Sequence, residues 1–214
     1  MDFKVLIGSC ARGDNNESSD IDILIIKNSF TPESKTSEQT EDIFHESEIV
    51  YDENTFNSLY QNGSLFLYHA FLEGQVLSGN IDKWNELSES FTVQKDFRNE
   101  LEDSKTRMNL LGKTDIFGGS FLTPLIHAHI ELKNSCIFYL AHHGIYEFNK
   151  SKCIVLASDH IGRKPWEFDL NSYYNYSIRG LDVLLPTSPY DSSLCPNILR
   201  SVKSFISELY DACQ

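Results

Sequence analysis

Near the N-terminus two apolar runs rich in β-branched residues enclose one short polar stretch, in VLIGSCARGDNNESSDIDILII, residues 5–26. Residues 3–8 read as a strand and 20–27 as a second, with Ile21, Ile23, Ile25 and Ile26 supplying the β-branched run. Residues 9–19 between them read as a loop. Asp20 and Asp22 lie two positions apart, so on a strand their carboxylates share one face. Carboxylates that close repel unless a cation or a shared proton intervenes. Hard oxygen ligands supplied by few side chains suit Mg²⁺, which completes its shell with water and substrate phosphates. The Gly8-Ser9 pair puts small residues where backbone N–H groups can approach phosphate oxygens, and Ser9 adds a hydroxyl. Acidic ligands facing a phosphate-binding turn suit in-line displacement at phosphorus.

The stretch GSCARGDNNESSDID resembles the signature of the minimal nucleotidyltransferases of the DNA polymerase β superfamily: Gly-Ser, ten residues, then Asp-x-Asp. Ala11, Arg12 and Gly13 and the run SDIDILI (19–25) match the same signature, and the likeness extends through residues 48–79. It implies three carboxylates binding two divalent ions: Asp20, Asp22 and a third on a later strand. Glu48 fits that third place by position, ahead of an apolar run, with Glu46 on its face as the fallback. Gly8 and Ser9 are expected to hold the triphosphate. Arg12 has two readings, a triphosphate contact or an ion pair with Asp14 or Glu17.

Downstream, residues 28–41 read as a loop and 42–52 as a third strand. In that strand Ser47, Ile49 and Tyr51 share one face, Glu46, Glu48 and Val50 the other. Asp52 is expected to cap a helix carrying Phe56, Leu59 and Tyr60; a second helix spans 64–74 and ends at Gly74. QVLSGN reads as a short strand that closes a first domain near residue 80. Residues 81–112 are charged and helical in outline. Thr123, Pro124 and Gly144 bound a helix over 123–144, and 196–213 repeats apolar residues at helical spacing. Residues 158–193, rich in Tyr and Pro, resist assignment. The expected class is α+β: a nucleotidyltransferase fold over 1–80, a short mixed sheet with helices, then a helical substrate- or partner-binding domain over 81–214.

Other residues tempt a metal reading. His127 and His129 form an HxH, but residues two apart on a helix point away from each other. His127 with Glu131 is better spaced, and a helix-surface pair is the simpler account. His142 and His143 suit the negative end of a helix dipole. Five scattered cysteines, never spaced as CxxC, read as reduced thiols of a cytoplasmic protein. Nothing after Met1 resembles a signal peptide, and no apolar run reaches the roughly 18 residues of a membrane span.

The formal charge of −13, from 18 Lys+Arg against 31 Asp+Glu, disfavours nucleic acid and favours a cationic partner. The expected activity is Mg²⁺-dependent transfer of NMP, from ATP by preference, to an acceptor hydroxyl. The resemblance implies three kinds of acceptor: a partner protein, as in antitoxins that AMPylate a toxin; a small molecule such as an aminoglycoside; or an RNA 3′ end. Charge argues against the last and leans the reading to protein modification in a bacterial toxin–antitoxin or defence setting. A second class is a non-catalytic acidic subunit that keeps the fold to hold a partner.

Overall fold

A computed structural model describes residues 2–15, 19–28, 46–111, 118–164, 166 and 168–214, with Glu46 described in its backbone alone. The chain divides into two compact units, Met1–Gln94 and Lys95–Gln214.

The first unit is built on a four-stranded mixed sheet of order β3-β2-β1-β4. Its strands are β1 (Phe3–Ile7), β2 (Ile21–Lys27), β3 (Glu46–Asp52) and β4 (Gln75–Ser78). β1 runs antiparallel to both β2 and β4, and β2 runs parallel to β3. Phe3, Val5, Leu24 and Ile26 line one face and are buried against Phe56, Leu67, Ala70 and Trp84. Those four come from α2 (Glu53–Gln61), α3 (Leu65–Glu73) and α4 (Ile81–Ser90). The three neighbouring strands expected from the apolar pattern are present; the expected loop over 28–41, apart from Asn28, and residues 42–45 lie outside the described residues.

Asp52 caps α2 as expected, its Oδ1 accepting from Thr55 N at 2.7 Å. Gly74 ends α3 for a different reason from the one its position suggests. Its backbone is extended rather than left-handed, and a Cβ there would meet Ala70 O at 2.3 Å and Val5 Cγ1 at 2.8 Å. Close approach, not conformation, selects the glycine. The helical stretch expected over 81–112 is two helices, α4 and α5 (Arg98–Leu111), broken over Phe91–Phe97. Trp84 is buried in the sheet's core, which keeps α4 with the first unit, so the division falls at 94/95 rather than near 80.

The second unit is helical: α5, α6 (Leu122–His142), α7 (Lys150–His160), α8 (Asn171–Ile178) and α9 (Cys195–Asp211). Leu125, Leu132, Cys136, Leu140, Val202 and Ile206 are among its buried residues. Glu131, expected on a helix surface, is buried and takes a bidentate ion pair from Arg107, at 2.6 and 3.0 Å, which staples α5 to α6. The Tyr- and Pro-rich stretch folds around Tyr173, fully buried, whose hydroxyl donates to Thr187 O at 3.0 Å. Among the described residues no helix is long and apolar enough to cross a membrane.

Candidate functional site at the Gly-Ser turn

β1 does not end in a loop. Gly8, at φ 73°, turns the chain directly into the short helix α1 (Gly8–Arg12), and Gly13 closes it in the left-handed region. Only a glycine takes that strand-to-helix corner without strain. The turn is pressed against β2: a Cβ on Gly8 would stand 2.8 Å from Asp22 Oδ2, so the carboxylate lies directly over the Gly8 backbone. Ile7 is the register partner of Asp22. Asp20 reaches the same corner through its backbone, where Cys10 Sγ of α1 donates to Asp20 O at 3.4 Å. Gly8, Ser9, Asp20 and Asp22 therefore meet at one end of the sheet. All four are half-buried, shielded enough to strengthen their electrostatics and open enough to meet a ligand.

Arg12 is tied into the fold. Its Nη1 donates to Glu73 Oε2 at 2.8 Å, its Nε donates to Asp14 at 3.1 Å, and His69 Nε2 lies 3.4 Å from Nη1. Burial works against the guanidinium charge, but Glu73 and Asp14 outweigh it and hold the pKa above its ordinary value. His69 is pushed down by burial, against the pull of Glu73. Gln75 Nε2 adds a bond to Ala11 O at 2.7 Å, so α1 is tied to both α3 and β4. Position in sequence did not point to Glu73 or His69; their i,i+4 spacing on α3 was the available signal.

Glu48 is the correction. β2 and β3 pair in register, Asp22 with Ser47 and Ile23 with Glu48. Register partners project to the same face and successive residues to opposite ones, so Ser47 shares the face of Asp22 and Glu48 takes the other. Both are exposed. Glu46 pairs with Ile21, and its side chain lies outside the described residues. Among the described residues no group of three or more His, Cys, Asp or Glu is placed to hold a metal ion. With Glu48 on the other face, the described residues do not bring together the three-carboxylate set.

In the second unit, His127 is exposed and His129 buried, so the HxH pair divides as its helical spacing requires. No spacing in the sequence announces a local cluster in which Tyr139 Oη lies 2.6 Å from His160 Nδ1 and the His143 and His160 rings are 4.9 Å apart.

Residues 4–62 match the nucleotidyltransferase domain family. No curated protein matches the chain. Among solved structures it is similar to a nucleotidyltransferase-like protein from Exiguobacterium sibiricum 255-15, at 11% identity over 99% of this chain and 69% of that one, with a TM-score of 0.42. So distant a likeness adds nothing about function. The match to the nucleotidyltransferase domain family takes in the Gly-Ser turn, the Asp-x-Asp strand, β3 and α2, and stops short of β4.

Proposed function

We propose that the protein transfers AMP from ATP to a hydroxyl of a cationic acceptor, a basic partner protein before a small basic molecule. The observation that carries the reading is the seating of the Asp22 carboxylate over the Gly8 turn, inside the matched domain. A phosphate chain held by the N–H groups of Gly8 and Ser9 would lie beside Asp22 and its neighbour Asp20. Mg²⁺ bound by Asp20 and Asp22 would supply charge neutralisation there. The acceptor oxygen bonds to the α-phosphorus as the bond to the β-phosphate oxygen breaks. Pyrophosphate leaves with that electron pair, and the hydroxyl proton passes to water. Ser9 and the helix α1 amides hold the phosphates during transfer, and the Arg12–Glu73 pair holds α1.

Charge supports the choice of acceptor. Residues 1–94 carry 5 Lys+Arg against 17 Asp+Glu, and residues 95–214 carry 13 against 14. Nearly all the net negative charge of the chain is therefore on the first unit, where it would draw in a cation and repel nucleic acid. Incubation with ³²P-α-labelled ATP and Mg²⁺, followed by mass spectrometry of candidate acceptors, tests the reading; an adduct of AMP on a basic protein is expected. Association with that acceptor should slow as salt rises, since screening shortens the field to ~8 Å near physiological ionic strength. An acidic acceptor, or no label transferred to any acceptor, would overturn it.

A further inference from the structure

We infer that β3 contributes Ser47, a hydroxyl, where the three-carboxylate pattern expects an acid, and that the site consequently holds one divalent ion with its nucleotide instead of two. The inference rests on the proposed nucleotide reading and deepens it. It follows from register. β2 and β3 are parallel and paired without a shift from Ile21↔Glu46 to Lys27↔Asp52, so no bulge intervenes to turn Glu48 to the other face. Parallel neighbours stand roughly 4.8 Å apart, which makes Ser47 the β3 side chain nearest to Asp22 on the face of the Gly-Ser turn.

A serine there changes the chemistry in a definite way. Asp20 and Asp22 offer only two side-chain carboxylates to a divalent ion. Among the described residues no third carboxylate stands on the Asp22 face of β3, so a second ion would have to share those two or rest on phosphate and water oxygens. The Ser47 hydroxyl can donate to a phosphate oxygen, which no carboxylate can do, and so favours the nucleotide over a second metal. Glu48, exposed beside Ile23 on the other face, is free of that role.

Mn²⁺ binding to the full chain, counted by electron paramagnetic resonance at saturating α,β-methylene-ATP against a protein-free nucleotide blank, tests this. Wild type is expected to hold one ion per chain. Glu48→Gln should hold the same number with affinity changed less than twofold. Ser47→Asp should take up a second ion or bind the first at least tenfold more tightly. Ser47→Ala, which adds no charge and suits an exposed position, should keep one ion and weaken the nucleotide several-fold. Two ions on wild type, or a tenfold loss of ion affinity in a folded Glu48→Gln that still binds nucleotide, would overturn the inference and leave the nucleotide reading standing. No binding of the analogue to wild type at any Mn²⁺ concentration would overturn both.

Discussion

His129 should make the stability of this protein depend on pH between about 7 and 4. It is buried on α6, with Tyr174 at 6.0 Å between ring centroids. Burial first, then the charges of Lys133 and Lys150, push its pKa down from 6.5 to about 4, and Asp169 opposes them weakly. The folded imidazole therefore stays neutral while the unfolded chain takes up a proton near 6.5. The depressed value contributes stability that is fully present above 6.5 and is lost as pH falls through the window down to about 4. Between pH 7.5 and 5 the loss from this one group is about 2 kcal/mol, and about 3 kcal/mol once both forms are protonated. Urea unfolding of wild type and of His129→Gln across that range isolates the effect, because every other group titrates in both proteins. The gap between the two curves should narrow by about 2 kcal/mol on acidification. Parallel curves would show that His129 is solvated or charged in the folded state, and the burial argument would fail.

Asp20→Asn or Asp22→Asn should abolish nucleotidyl transfer while leaving the melting temperature equal or higher, since one of two repelling carboxylates is gone; label transfer and calorimetry check both halves. Gly8→Ala should cost about 1–2 kcal/mol for its positive φ. Its methyl would stand 2.8 Å from Asp22 Oδ2, so nucleotide binding measured by calorimetry should fall more than stability does. Arg12→Ala should cost about 1–3 kcal/mol by leaving Glu73 without its guanidinium partner. Arg12→Lys should recover part of that loss in a thermal melt, because a cation at this place can still pair with Glu73.

The strands, the Asp-x-Asp pair and the helical second half were legible because period-2 and period-3.6 patterns are properties of local sequence. The helix α1 was not: Gly, Ser, Cys, Ala and Arg carry no periodic signal over five residues, and a single positive φ decides the turn. The face of the third acid was not legible either. β3 places Ile49 and Tyr51 on one face and Val50 on the other, so its composition does not say which face joins the core. Register settles it, and a slip of one residue would have exchanged Ser47 for Glu48. The break between α4 and α5 depends on a contact distant in sequence, Gln94 N donating to Gly63 O at 2.9 Å. The Arg12 ion pairs were legible only in part, since Asp14 is a neighbour in sequence and Glu73 is not.

The pairing of β1 with both β2 and β4 has a consequence during synthesis. β1 lies inside the sheet, yet its outer partner begins only at Gln75, and Lys4 waits for Ser78. As the chain leaves the ribosome, β1 and β2 can meet first and fix the Gly-Ser corner against Asp22. Until β4 follows, the far side of β1 is an open edge with unpaired N–H and C=O groups, a template for another nascent chain. Lys4 lies on that edge, and a charge there discourages such pairing. The Gly-Ser corner can thus form before its sheet is sealed, which waits until α2 and α3 have been translated.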